Sequence, residues 1–139
     1  MKIHLGSFIR SGTVAAVIAG FLYLLALTPF FNNVLNVLIL AGAVLIPFGA
    51  GMYYGYLVPG EETMGQSVIG GALSGLVGGI IIGIAFGINA FTVIAASTGL
   101  FVNAMAGSIG VTILSAAVFG IFAAIMGALG GVLWKFVQN

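Results

Sequence analysis

This chain lacks cysteine altogether and has very few charged residues. Without cysteine it has no disulfides, no thiolate metal ligands and no cysteine nucleophile. Charged residues make up 4% of its 139 residues, whereas a soluble domain carries about 25%. A surface so poor in charge cannot be kept in water, and a net charge of +1 does not favour binding to nucleic acid. The composition therefore indicates an integral membrane protein.

Asp, Glu, Lys, Arg and His are also missing from the interior of the long apolar stretches. His4 is the single histidine, and it has no second histidine or cysteine with which to share a metal or haem. Proton relays and ion-coupled transporters usually place ionisable residues inside the membrane, so that class is disfavoured. No nucleotide-binding or nucleophile-elbow motif stands out from the glycine-rich background. We therefore expect no enzymatic activity, no metal and no cofactor.

Hydrophobic residues make up 62% of the chain, and its mean hydropathy is +1.34. They fall into four stretches, at about 13–28, 34–57, 65–88 and 106–136. These lengths bracket the ~20 residues that a helix needs to cross a bilayer. The sequence thus predicts one all-α domain over residues 1–139, a compact four-transmembrane-helix bundle. Residues 89–105 are more polar and are predicted to be an extracytoplasmic connection, either re-entrant or lying on the membrane surface.

Five glycines stand four residues apart in the third span: Gly71, Gly75, Gly79, Gly83 and Gly87. A glycine without a β-carbon lets a second helix backbone approach closely in the bilayer, so the row predicts Gly-zipper packing. Each step of four residues drifts by ~40° around the helix, and the whole row winds through ~160° over ~24 Å. One straight, parallel neighbour cannot use all of it. Either a partner that crosses the helix uses part of the row, or two neighbours share it.

Small residues at the same spacing occur in the first and fourth spans. The predicted helix-packing positions of the fourth span are Ala116, Gly120 and Ala124, followed by Ala128, and a second row of Ala123, Gly127 and Gly131. The first span carries Gly12, Ala16 and Gly20. We expect spans three and four to form a close hairpin, with span one next against it. Pro47 is expected to kink the second span or to free one of its carbonyls.

The charged residues indicate an orientation. Lys2 and Arg10 precede the first span, Glu61 and Glu62 join the second to the third, and Lys135 ends the fourth. With four spans they all lie on one side, which the positive-inside rule makes cytoplasmic, together with both termini. Tyr53, Tyr54, Tyr56 and Trp134 would anchor the helices at that interface. We expect the location to be the cell membrane of a prokaryote.

Two groups of polar residues have alternative interpretations. Glu61 and Glu62 are either a solvated turn or a docking site for a basic partner. Five hydroxyl-bearing residues either line a polar pathway or bond to helix carbonyls and neighbouring helices: Tyr23, Ser74, Ser108, Thr112 and Ser115.

Three functions are compatible with this sequence. The first is a non-catalytic accessory or scaffold subunit, which packs through its glycine- and alanine-rich helix faces against other membrane subunits. The second is a homo-oligomeric channel or permease for a small solute or ion. The third is a lipid- or pigment-binding module. All three need the lipid bilayer, and the first two need other subunits or copies of the same chain.

Overall fold

The computed structural model describes residues 4–26, 32–58, 60, 63–98 and 101–138, and over these ranges the regular structure is helical. The helices are α1 (Leu5–Ala26), α2 (Asn32–Leu57), α3 (Met64–Thr98) and α4 (Phe101–Gln138). Each contains a segment long and apolar enough to span a membrane: Leu5–Leu25, Leu40–Leu57, Met64–Asn89 and Gly107–Gln138. The all-helical architecture with four such helices agrees with the prediction for a membrane protein.

The helices are longer than the predicted spans. α1 begins at Leu5 rather than near residue 13, and α3 and α4 contain 35 and 38 residues. The predicted connection at 89–105 is helical over 89–98, as the end of α3, and over 101–105, as the start of α4. This segment has no proline to stop a helix, and its alanines favour one despite the hydroxyls. At 1.5 Å per residue both helices exceed 50 Å, more than the ~30 Å hydrocarbon thickness.

α3 and α4 share the largest interface of the bundle, as expected for a close hairpin. α2 packs against α4 and α3, whereas α1 packs against α3 and α2. Within the described residues the first helix therefore packs mainly against α3 of the hairpin, and α2 is the main neighbour of α4 outside it. α3 is the central helix, since it packs against each of the other three helices.

Two polar contacts bring the start of α1, the end of α2, Gly60 and the end of α4 to one end of the bundle. The Lys135 ammonium donates to the carbonyl oxygen of Gly60 at 3.2 Å, and the Ser7 hydroxyl donates to the carbonyl oxygen of Leu57 at 3.5 Å. We call this the terminal end and the opposite one the far end. Because adjacent helices run antiparallel, residues late in α1 and α3 and early in α2 and α4 lie toward the far end.

Local sequence explains how α3 starts and how α2 continues past its proline. Thr63 and Gln66 form half of a capping box: the Thr63 amide donates to Gln66 Oε1 at 2.8 Å, and the Thr63 hydroxyl donates to the same oxygen at 3.2 Å. This arrangement satisfies an amide that the first turn of a helix leaves without a partner. α2 remains one helix from Asn32 to Leu57 across Pro47, whose side chain is fully buried in the bundle.

Candidate functional site

The glycine row of α3 lies against α4 along its whole length. A β-carbon built at each position would overlap atoms of α4: Gly71 meets Gly127, Gly75 meets Ala123, Gly79 meets Phe119 and Ala123, Gly83 meets Ala116, and Gly87 meets Thr112. All five glycines are buried. The two backbones are therefore closer than any larger side chain would allow.

A single neighbour follows the whole row, in place of the crossing partner that would use only part of it or the two neighbours that would share it. A contact stripe that repeats every four residues drifts around a helix of 3.6 residues per turn. Such a stripe stays on one partner when the two helices wrap around each other with a right-handed twist. The numbers of the paired residues run in opposite directions, as they must in an antiparallel hairpin.

The predicted positions on α4 divide between two environments. A β-carbon at Gly127 would overlap the carbonyl of Gly71, and one at Gly131 would overlap the carbonyl of Ser67. A β-carbon at Gly120 would lie 3.4 Å from Ile80 Cγ1, an ordinary contact. Ala116 meets Gly83, as described above, whereas Ala124 is only half-buried. Gly120 is buried as well, and Ala116 is half-buried like Ala124, so the predicted row on α4 that is buried throughout is Ala123, Gly127 and Gly131.

Three helix backbones converge near Gly127. A β-carbon at Gly51 of α2 would overlap the Gly127 carbonyl, which also opposes Gly71 of α3. One turn further on, a β-carbon at Gly130 would overlap the carbonyl of Phe48 in α2. Glycine on all three helices therefore lets their backbones meet closely in the terminal half of the bundle.

A second face of α3 meets α1. Ser74 and Ser11 are fully buried, and their hydroxyl oxygens are 2.6 Å apart. Ser74 also bonds to the Gly70 carbonyl at 2.8 Å and Ser11 to the Phe8 carbonyl at 3.1 Å, so either hydroxyl can donate to the other while the acceptor donates to its own helix. No buried hydroxyl of this pair is left unsatisfied.

The face of α1 that packs differs from the predicted one. Ser11, Gly12, Ala15 and Ala19 are buried, and Gly78 of α3 approaches Ala15 so closely that an added β-carbon would lie 3.3 Å from the Ala15 methyl. Of the predicted positions Gly12, Ala16 and Gly20, only Gly12 is buried; Gly20 has no atom within 4 Å of an added β-carbon. Small residues occupy two faces of α1, and their spacing alone does not identify the inner one.

The other hydroxyls named from the sequence are also engaged in helix contacts. The Ser115 hydroxyl donates across the interface to the Gly83 carbonyl at 2.8 Å. The Thr112 hydroxyl donates to the carbonyl of Ser108 at 2.6 Å, within its own helix. Ser108 itself has a partner in the chain. These bonds match the structural interpretation of the hydroxyls. Tyr23 differs, since it lines a groove at the far end.

The aromatic residues at the terminal end have unequal environments. Tyr56 is exposed and makes an edge contact with Trp134, with ring centroids 5.6 Å apart, and it stacks on Tyr53 at 6.2 Å. Tyr54 is fully buried, with its ring against Gly70 of α3. Tyr54 is therefore a core residue rather than the interfacial anchor that the sequence predicted, because Gly70 leaves room for its ring.

The predicted docking residues Glu61 and Glu62 lie outside the described residues. His4 is exposed. Within the ranges that the structure describes, no group of three or more His, Asp or Glu residues could hold a metal ion.

A groove of about 340 Å³ opens between α1, α2 and α3 in the far half, and Phe119 of α4 also lines it. Most of its lining is apolar, including Ala19, Ala43 and Ala85, and Tyr23 and Asn89 supply its polar groups. A second groove of about 290 Å³ lies between α1 and α2, where the only hydroxyl groups belong to Ser11 and Tyr53.

The outward side of α4 carries a regular seam. Its residues follow one another in alternate steps of four and three: Gly110, Leu114, Ala117, Ile121, Ala124 and Ala128. The first four are exposed and the last two are half-buried. Glycine or alanine recurs every seven residues, at 110, 117 and 124, with a large aliphatic residue between. We call these six residues the α4 seam; the sequence analysis did not separate it from the buried row, since small residues occupy both faces.

Comparison with protein-family models, with curated proteins and with solved structures finds no match to this chain.

Proposed function

We propose that this protein is a non-catalytic subunit of a larger membrane assembly and that it binds its neighbour through the α4 seam. The seam is the observation that carries the proposal. Among the described residues Gly110 has no atom within 4 Å of an added β-carbon, so no contact seen in that part of the chain requires a glycine there. Glycine in a helix interior costs up to about 1 kcal/mol relative to alanine. A helix from another subunit supplies a reason for it.

The seam has the pattern of a helix–helix contact. Hydrophobic residues in steps of four and three repeat every 3.5 residues on average, which keeps the seam on a partner that coils left-handedly around α4. Small residues at such contacts let helices approach closely, and membrane helices associate largely by this packing. Leu114 and Ile121, 67% and 65% exposed, would fill the spaces beside the small residues of the partner.

The close α3–α4 contact supports this role. In our proposal it acts as a Gly-zipper that holds the hairpin rigid, so that α4 presents its outer side as a fixed surface. We further propose that the terminal end, with Arg10 and Lys135, faces the cytoplasm of a prokaryotic cell, following the positive-inside rule. Because the buried hydroxyls of Ser11, Ser74 and Ser115 bond to one another or to helix carbonyls, the interior favours packing over chemistry.

A second copy of the chain is the alternative partner. The same seam could pair with itself around a symmetry axis, and the assembly would then be homo-oligomeric. A channel or permease for a small solute would be such a homo-oligomer, and the solute would cross the membrane between the copies. The identity of the molecule that contacts the seam separates the two functions.

Photocrosslinking from the seam tests the proposal. The chain has no cysteine, so Ala117→Cys creates a single attachment point for a thiol-reactive photocrosslinker. Val118→Cys is the matched control, because Val118 is the next residue and points about 100° away around the helix. Both residues are exposed, Val118 to 56%. In native membranes we expect one protein adduct of defined mass from position 117 and only lipid adducts from position 118.

The mass of the adduct identifies the partner. A mass other than that of a second copy supports the accessory role, and the mass of two copies supports the homo-oligomer instead. If positions 117 and 118 give the same adducts, or if 117 gives lipid adducts alone, the seam is a lipid-facing surface and the proposal is wrong.

A further inference from the structure

We propose that the groove at the far end binds one acyl chain of a bilayer lipid, with its ester group beside Tyr23 and Asn89. This inference concerns a different surface from the α4 seam and does not depend on the proposed function. It rests on the shape of the groove, on the medium around it and on the position of its two polar side chains.

Alanines on three helices create the space. Ala19 of α1, Ala43 of α2 and Ala85 of α3 all line the groove, so no large side chain fills the region where these helices would otherwise meet. The resulting 340 Å³ lies in the range of sites that hold small molecules. Wall atoms that face an empty space lose the dispersion contacts that a close-packed interior would give them. An occupant that restores these contacts therefore binds favourably.

The surroundings identify the occupant. Leu40 and Phe86 line the groove and are 71% and 52% exposed, so the groove opens on the outer surface of the bundle. For a helix that spans a membrane, this surface faces hydrocarbon. Water is a poor occupant, because it needs two to four polar partners and the walls are mostly apolar. The apolar molecule available at the opening is an acyl chain.

Two polar groups lie at the outer end of the groove. Tyr23 follows Ala19 by one turn of α1, and Asn89 follows Ala85 by one turn of α3, both in the direction of the far end. Tyrosine offers one hydroxyl donor, and an asparagine amide offers two donors, so Asn89 can bind a ligand in addition to its partner within the chain. The ester carbonyls of a phospholipid are acceptors placed at the junction between its chains and its head group.

The second groove is a weaker candidate for a lipid site, because its polar side chains already contact other residues of the chain. Its Ser11 hydroxyl is already bonded to Ser74, and Tyr53 stacks on Tyr56. The second groove also has alanines, Ala15 and Ala50, beside its polar groups, but the Ser11 hydroxyl there is already bonded within the bundle.

Lipid retention measured by native mass spectrometry tests the inference. The full chain is reconstituted in vesicles of dioleoyl phosphatidylcholine, released with a mild detergent and weighed, with its thermal unfolding followed in parallel. We expect one lipid on the wild-type chain. Ala85→Leu and Ala43→Leu fill the groove, and each should lose the lipid. Ala117→Leu adds the same bulk to the α4 seam and should keep the lipid. In native membranes, the same variant should lose the proposed protein partner.

Tyr23→Phe provides a variant that adds no bulk, in case both leucine variants fail to fold. Loss of one neutral hydrogen bond, about 1 kcal/mol, should weaken lipid retention about fivefold. The inference is wrong if the wild-type chain carries no lipid or a different molecule such as a pigment, if the folded groove variants retain lipid as the wild type does, or if Tyr23→Phe changes nothing. Because Ala85→Leu and Ala117→Leu affect different surfaces, failure of this inference is distinguishable from failure of the proposed assembly.

Discussion

Replacing Gly79 by alanine adds one methyl group at the centre of the α3–α4 contact. The new carbon would overlap the Phe119 carbonyl oxygen and the Ala123 methyl, and it would lie 3.0 Å from the Phe119 carbonyl carbon. Non-bonded carbons prefer about 3.5–4.0 Å, so the helices must separate locally by at least ~0.5 Å. Neither a backbone carbonyl nor an alanine methyl can rotate away.

The expected change in the free energy of unfolding follows from two opposing effects. A gap of about 0.5–1 Å removes a quarter to a half of each dispersion contact along the row, and overpacking of this kind costs about 1–3 kcal/mol. The higher helix propensity of alanine returns up to about 1 kcal/mol. We therefore expect Gly79→Ala to lower the free energy of unfolding by about 1–2 kcal/mol, and Gly79→Leu to lower it further.

Gly20→Ala is the matched control, because an added methyl at Gly20 has no atom within 4 Å. It should be neutral or stabilise the protein by up to about 1 kcal/mol. Reversible unfolding of both variants in mixed detergent micelles compares the same chemical change in a filled and an open environment. Equal free energies of unfolding for the two variants would refute the assignment of the glycine row to the α3–α4 contact.

Two other contacts give further predictions. In a double-mutant cycle, Ser11→Ala and Ser74→Ala should show a coupling of about 0.6 kcal/mol, the average for hydrogen bonds between membrane helices, and additive effects on unfolding would contradict the hydrogen bond between them. Gly55→Ala should displace Trp134, the only tryptophan, because the new carbon would lie 2.6 Å from its Cδ1. The fluorescence emission maximum should shift in Gly55→Ala and stay unchanged in Gly49→Ala, where the space is open; the same spectrum in both would contradict the described packing.

The four helices could be predicted because the bilayer imposes a strong constraint. A helix that crosses hydrocarbon must be apolar for ~20 residues, and this signal is visible along one chain. The ends were less predictable, since the residues at 89–98 continue α3 outside the apolar stretch. Helix ends are set by caps such as Thr63 and by propensity, which are weaker signals than hydropathy.

The neighbours of each helix face were only partly predictable. The glycine row indicated a close contact, but the drift of ~40° per step is compatible with one coiling partner or with two. On α1 the residues Ser11, Ala15 and Ala19 form the inner face, although Ala16 and Gly20 have equally small side chains. In a membrane both faces are apolar, so hydropathy does not distinguish a packed face from a lipid-facing one.

The far-end groove had no signal in the sequence. It exists because alanines on three helices come together, and each of them alone looks like any other small residue in an apolar helix. The sequence identified Tyr23 only as one of five hydroxyl-bearing residues. Its place beside Asn89 depends on how α1 and α3 pack. Such sites follow from tertiary arrangement rather than from local pattern.

Native mass spectrometry of the protein extracted from its own membranes in mild detergent tests the central claim most directly. Our account predicts a complex that contains this chain together with at least one different membrane protein, and that loses this chain when Ala117 is replaced by leucine. A lone monomer would contradict the proposed assembly. A complex made only of copies of this chain would contradict the accessory role and favour the homo-oligomeric channel or permease.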